Sequence, residues 1–168
     1  MSIFKFNSNF ISKDECDFII KLSKDSFIDP SKRIGRPNRS TYFHTFEDGD
    51  CDFIDNIKIK ISKIINKSIN NISSLQVNRY RVGEGFPPHY DYDGRSNDYT
   101  FLIYLNDDFI GGETYFPSLL KKVSPEIGRA IYWTNSVEGT NELEYLSLHE
   151  ALTVEVGEKW MIVAFIKH

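Results

Sequence analysis

The sequence predicts a mainly β fold, a sandwich or jelly roll, with two helices ahead of it that buttress one sheet. Three observations carry this. Aromatic residues make up 14% of the chain, with 13 Phe and 9 Tyr, and flat rings favour pleated surfaces. From residue 74 onward, short runs of β character recur between turns rich in Gly, Asn, Asp and Pro, the spacing of an antiparallel all-β domain. Both stretches with a helical repeat of apolar residues lie before that point, so the helices are expected to cover a sheet from outside. At 168 residues, 40% hydrophobic and 26% charged, the chain suffices for one domain with its own core. The expected division is a helical support region, 1–73, and a β core, 74–168, within a single domain 1–168.

Taken in order, residues 2–7 alternate and predict a first strand. Ser12 with Glu15 three residues later forms a capping box, each side chain satisfying the other's free backbone N–H. It opens a helix over about 12–24 with Cys16, Ile19, Ile20 and Ser23 on one face. "DPSKRIGRPNRS" at 29–40 is a basic loop broken by Pro and Gly, and "TYFHTF" at 41–46 is a short strand in which His44 has a structural role. The second helix starts near Asp50. Its Ile54, Ile57, Ile61, Ile64 and Ile65 share one face, with Asp55, Lys58, Lys63 and Asn66 opposite. The strands of the β core are read at 75–82, 99–105, 113–116, 129–133, 145–149, 152–156 and 159–166. The Gly111 and Gly112 pair marks a tight turn where positive φ is needed.

Charge narrows the partners. Residues 1–70 carry 12 Lys/Arg against 10 Asp/Glu, and residues 71–168 carry 8 against 14. An acidic β core argues against nucleic acid as a ligand. Cys16 and Cys51 fall in the two expected helices on their apolar sides, as buried free thiols, and no C-x-x-C pair offers a thiolate zinc site. "MSIFKFNSNFISKDEC" has neither a long apolar run nor a small-residue cleavage site. No stretch approaches the ~20 apolar residues that span a bilayer. No membrane partner and a cytoplasmic or other intracellular location are therefore expected. The richness in Ile, Asn and Lys fits an AT-rich genome, such as that of a virus.

"PPHYDYDGRS" at 87–96 carries His89 and Asp91 two residues apart. In an extended segment both side chains leave the same face, and one nitrogen with one oxygen donor suits a divalent first-row metal. His149 could complete a set of two His and one carboxylate. Alone, that pattern is weak evidence for a metal site, since most such matches are structural residues. His168, at the terminus, is expected to fray. Lys159 opens the apolar run "KWMIVAFI". It either pairs with an anionic ligand inside the fold or snorkels from the strand end to the surface. Trp160, pointing the other way, reads as core.

Three segments together, "VNRYRVGEGFPPHYDYD", "TFLIYLNDDFIGGETYFP" and "SLHEALTVEVGEKWMIVAFI", resemble the catalytic domain of the prolyl 4-hydroxylases, which are Fe(II)- and 2-oxoglutarate-dependent dioxygenases. The resemblance covers about residues 74–167, includes the ten-residue step from His149 to Lys159, and becomes loose over the first 73 residues. It implies a double-stranded β-helix (jelly roll) core. It implies His89, Asp91 and His149 as iron ligands, Lys159 as partner of the distal carboxylate of 2-oxoglutarate, and Tyr80, Tyr104 and Thr114 as further cosubstrate residues. The implied activity hydroxylates a C–H bond with O2, releasing succinate and CO2, with a prolyl residue of a peptide or protein as substrate and ascorbate as reductant.

Substrate residues are expected in the loops at 29–40 and 92–98, with Arg39, Arg95 and Tyr92 as candidates. The basic loop reads either as a grip for an acidic peptide or as a solvated surface. Two departures bear on the substrate. "HEALTV" follows the distal His where the family has a small residue and Pro, and Asn97 stands where the family often has Arg. The same chemistry on a lysyl side chain, a free amino acid or a small molecule, and a jelly roll that binds without turnover, are the alternative readings.

Overall fold

A computed structural model describes residues 3–24, 42–92, 94 and 97–167. The basic loop with Arg39, together with Arg95 and His168, lies outside the described residues.

Among the described residues, twelve strands and two α-helices follow the order β1 (Phe4–Asn7), α1 (Lys13–Lys24), β2 (Tyr42–Phe46), α2 (Asp52–Ile65), β3 (Leu75–Tyr80), β4 (Phe86–His89), β5 (Tyr99–Tyr104), β6 (Ile110–Gly111), β7 (Thr114–Phe116), β8 (Lys121–Val123), β9 (Ala130–Thr134), β10 (His149–Ala151), β11 (Val154–Val156) and β12 (Lys159–Ile166). They build an antiparallel six-stranded sheet ordered β1-β9-β5-β12-β3-β2, a four-stranded sheet β4-β10-β7-β8, and a ribbon β11-β6.

Alternation along the large sheet sorts its side chains into two cores. Leu75 and Val77 of β3, Phe101 and Ile103 of β5, and Trp160, Ile162, Ala164 and Ile166 of β12 cluster with Cys16 and Ile19 of α1 and with Ile54, Ile57 and Ile61 of α2. Their strand neighbours Leu102, Tyr104, Ile131, Trp133, Met161 and Val163 join Phe116 and Val123 of the smaller sheet in the second cluster. The helices thus cover one face of the large sheet, and the small sheet packs on the other.

The α1 start forms as the sequence indicates: Ser12 N–H donates to Glu15 Oε2 at 2.6 Å and Glu15 N–H to Ser12 Oγ at 3.2 Å. α2 ends at Asn66, which takes φ 52 and closes the last turn on Ser62 O. Cys16 is fully buried, which pushes its thiol up to about 12.

Four local expectations need correction. Cys51 is not inside a helix: it is the half-buried residue preceding α2, in extended conformation. Lys58, placed by periodicity on the polar face, is 2% exposed, because its ammonium reaches the Asp48 carboxylate over the start of the helix. Residues 145–147 form a 3₁₀ turn capped by the Glu144 side chain on Leu146 N–H, so the strand begins only at His149. β4, β6 and β8 escaped the reading. β6 and β8 have two and three residues, and β4 contains Pro87 and Pro88. Proline removes a ladder donor and is tolerated at a sheet edge, which is where β4 sits.

No helix among the described residues is long and apolar enough to cross a membrane. Ile57 is completely buried between α2 and the sheet. Truncation to Ala should cost about 2–5 kcal/mol, cavity included, read as a lower urea midpoint with unchanged slope.

Candidate active site

The site begins with a strand pairing. β10 runs antiparallel to β4 with His149 opposite His89, and a register irregularity follows between His149 and Ala151. The two imidazole rings therefore stand 4.3 Å apart between centroids. Asp91 lies two residues past the end of β4, so the expected extended H-x-D spacing operates across a strand end. One donor atom from each of the three residues falls within 4.8 Å of the others. His89 Nε2 is 3.5 Å from Asp91 Oδ1, and His149 Nε2 is 3.4 Å from Asp91 Oδ2.

Proton placement follows from the partners. His89 Nδ1 is 2.8 Å from Pro87 O, and His149 Nδ1 is 2.9 Å from Ser147 O. A carbonyl only accepts, so each Nδ1 carries the hydrogen and each Nε2 turns its lone pair inward. Burial lowers the His149 pKa below its ordinary value, against the pull of Asp91. Burial alone would raise the Asp91 carboxyl. The neighbouring His89 and His149 imidazoles and a hydrogen bond from Thr100 outweigh it and hold the pKa below the usual range. Two imidazole lone pairs and a carboxylate facing one another is a donor set that fits a divalent cation such as Fe(II).

These residues line a cavity of 350 Å³ whose other walls include Gln76, Asn78 and Tyr80 of β3, Thr100 and Leu102 of β5, Thr114 of β7, Trp133 of β9, and Lys159, Met161 and Val163 of β12. Lys159 is fully buried and does not snorkel. Its Nζ donates to Gly112 O at 2.7 Å and sits 5.3 Å from the Tyr80 ring centroid and 5.5 Å from that of Tyr104. Among the described residues no carboxylate lies within ion-pair distance; Glu113 acts only from further off, and burial brings the ammonium down to about 7. Gly111 and Gly112 both take positive φ, as their sequence suggests. A Cβ on Gly112 would stand 3.3 Å from Lys159 Cδ and 3.0 Å from the Phe109 ring, so glycine here lets the lysine stem pass.

The other expected residues divide. Tyr80 is the cross-strand partner of Lys159 and lines the cavity. Thr114 lines it as well, but Tyr104 stands behind the wall: its hydroxyl is 2.7 Å from Thr114 Oγ1 and donates towards Val123 O at 3.4 Å. Tyr92 is at the cavity, its hydroxyl bound to Asn141 O. Asn97 also lines it, its amide donating to Asp91 O at 3.2 Å. Sequence reasoning missed Thr100 and Asn135. Thr100 Oγ1 donates to Asp91 Oδ2 at 2.7 Å, and Asn135 Nδ2 donates to Thr100 Oγ1 at 2.9 Å. The available signal was a hydroxyl in the otherwise apolar run "TFLIYL", a polar group that a buried strand must satisfy.

The family described as the 2OG-Fe(II) oxygenase superfamily, 2OG being 2-oxoglutarate, matches residues 75–167. The chain belongs to this superfamily. Its members' chemistry requires Fe(II), 2-oxoglutarate and O2. The chain is 30% identical over 138 residues to prolyl 4-hydroxylase subunit alpha-1 of Rattus norvegicus, covering 75% of this chain and 25% of that one. It is 30% identical over 125 residues to prolyl 4-hydroxylase subunit alpha-2 of Gallus gallus, covering 68% and 23%. It thus spans about a quarter of the length of these relatives. The 2OG complex of the viral collagen prolyl hydroxylase from Paramecium bursaria Chlorella virus-1 superimposes with a TM-score of 0.85 at 26% identity, over 99% of this chain and 96% of that one.

Lys159 makes stability depend on pH in a defined window. Its folded pKa, about 7, lies below the ordinary 10.5, so the folded state holds fewer protons than the unfolded state between these values. Stability of the ligand-free protein contributed by this group therefore rises with pH from about 7 upward, by at most about 1.4 kcal/mol per unit. Urea titrations at pH 7 and 9 should show the wild type gaining on Lys159→Met by that trend.

Proposed function

We propose that this chain is a prolyl 4-hydroxylase-like oxygenase that hydroxylates a prolyl residue of a peptide or protein, with succinate and CO2 as coproducts. One observation carries the reading. The His89, Asp91 and His149 donors share a single cavity with a buried ammonium that no carboxylate among the described residues neutralises. We read the two facing sheets as a double-stranded β-helix and the N-terminal helices as part of the same domain, 1–168, because the helix-side core is continuous with the large sheet. The likeness to a chlorella-virus enzyme also supports a viral or AT-rich source.

In this reading His89 Nε2, Asp91 and His149 Nε2 hold Fe(II). Once bound, the iron with 2-oxoglutarate and O2 supplies the oxidising power for insertion into an unactivated C–H bond. The chain's part is placement and exclusion. Lys159 pairs with the distal carboxylate of 2-oxoglutarate, a charge that would restore its full ammonium character. Tyr80 and Thr114 offer hydroxyl hydrogen bonds beside it, and Tyr104 acts indirectly by holding Thr114. Leu102, Met161, Val163 and Trp133 give the cavity apolar walls that keep water from the reacting centre. Tyr92, Arg39 and Arg95 are proposed to face the substrate, and ascorbate to serve as reductant.

Asn97 favours a second reading of the substrate. Its amide is engaged with Asp91 O rather than extended as an arginine would be, so the same chemistry on a lysyl side chain, a free amino acid or a small molecule is the alternative.

Anaerobic addition of Fe(II) and 2-oxoglutarate should produce a visible metal-to-ligand charge-transfer band that Asp91→Ala abolishes. A missing band, or one that survives the substitution, would sink the oxygenase reading. With O2 and a Pro-rich peptide panel, succinate should appear with a one-oxygen mass gain on proline; succinate stimulated only by other substrates would select the alternative. Lys159→Met should weaken 2-oxoglutarate binding at least about tenfold, as loss of a buried charge-assisted contact requires, while Co(II) affinity stays unchanged.

A further inference from the structure

Asp91 is the least anchored of the three donors by backbone. It follows an edge strand and stands in a loop, whereas His149 opens a strand paired on both sides. Its carboxylate is nevertheless held from the centre of the large sheet. Thr100 is the second residue of β5, flanked by β9 and β12 with Trp133 and Phe165 as its Cα partners, and is 1% exposed. Asn135, just past β9, is fully buried, and its own N–H donates to Asp98 O at 2.7 Å. The neighbouring Ser136 Oγ donates to Asp98 Oδ1 at 3.1 Å.

The direction of every hydrogen in this chain of contacts follows from chemistry. A carboxylate offers only acceptors, so the single hydroxyl proton of Thr100 points at Asp91 Oδ2 across 2.7 Å. Only lone pairs of Thr100 Oγ1 then remain for Asn135, whose amide must present its NH2 group, at 2.9 Å. A reversed amide would set two acceptors against each other.

On the reading that His89, Asp91 and His149 hold the metal, we infer that Thr100 and Asn135 are positioning residues: a one-way relay, Asn135 to Thr100 to Asp91, that caps Oδ2 and reserves Oδ1 for the cation. A terminal carboxylate otherwise rotates in a broad two-fold well, and an Asp on a loop could turn either oxygen, or both, to the metal. The relay removes that freedom. It ties the loop-borne ligand to the sheet that also carries Lys159, so metal and cosubstrate anchors keep a fixed relation. Asn97, by holding the Asp91 carbonyl at 3.2 Å, fixes the backbone of the same residue.

The test uses Co(II) as probe, without turnover, on the wild-type chain and on Thr100→Val, Thr100→Ser, Asn135→Leu and the Thr100→Val/Asn135→Leu double variant, each checked for folding by circular dichroism and urea melts. Thr100→Val should weaken Co(II) binding by about 10- to 100-fold and shift the visible d–d bands, because the carboxylate is freed to rotate. Thr100→Ser, which keeps the hydroxyl, should restore both affinity and spectrum. Asn135→Leu should give a smaller loss, and the double variant should be no weaker than Thr100→Val, since Asn135 acts only through Thr100. Wild-type affinity and spectrum in folded Thr100→Val would overturn the relay, as would full additivity in the double variant. If Thr100→Val does not fold, Asn135→Leu decides: a loss supports the relay and an unchanged affinity overturns it. Absence of Co(II) binding in the wild type would instead overturn the metal reading on which the inference rests.

Discussion

His89 and His149 meet because β4 and β10 pair antiparallel with these two residues opposite each other. The arrangement of the candidate donors depends on that contact. It sets the two imidazoles side by side and leaves each ring's Nδ1 to a carbonyl two residues earlier in its own chain, Pro87 and Ser147. Each ring is thereby locked in the tautomer whose free lone pair points inward. A shift of one residue in this ladder would send one imidazole to the opposite face, and no rearrangement of Asp91 could compensate. The proline pair in β4 suits the task. It stiffens the strand that presents His89, and the edge position tolerates the missing N–H groups.

The large sheet supplies the remaining geometry through alternation. Along β12, Lys159, Met161 and Val163 line the cavity while Trp160, Ile162 and Ala164 pack under the helices. One strand therefore serves two environments of opposite demand. The helix-side core, with Ile54, Ile57 and Ile61 of α2 fully buried, holds the strand rigid. The cavity face can then carry a buried ammonium whose hydrogen-bond partner among the described residues is the Gly112 carbonyl. That arrangement is costly in the ligand-free protein, since burial depresses the lysine's pKa. The cost is tolerable because the surrounding apolar packing is extensive, and an incoming carboxylate would relieve it.

Much of the architecture was legible along the chain. The capping box at Ser12 and Glu15, the isoleucine face of α2, the alternation of β3 and the apolar runs of β5 and β12 are local patterns, and local patterns survive folding. The misreadings share a cause. Lys58 is buried because Asp48, ten residues earlier, folds back over the helix start. Residues 145–147 have strand-like side chains but are captured by the Glu144 cap. β4 contains the residues that single-strand propensity penalises most, and only its edge position makes them acceptable. In each case a neighbour supplied by tertiary structure, or a local cap, outweighed propensity.

The site divides in the same way. Residue type, the close spacing of His89 and Asp91, and the family resemblance that adds His149 and the lysine ten residues beyond it made the candidate groups legible, because ligand chemistry resides in the side chains themselves. Tertiary structure alone decided that these groups share one cavity, that Tyr104 stands behind Thr114 instead of lining it, and that Thr100, itself held by Asn135, binds Asp91. Those facts rest on which strands are neighbours and which face each residue takes. They follow from the pairing of segments tens of residues apart, a property of the whole packed chain that no short stretch of sequence encodes.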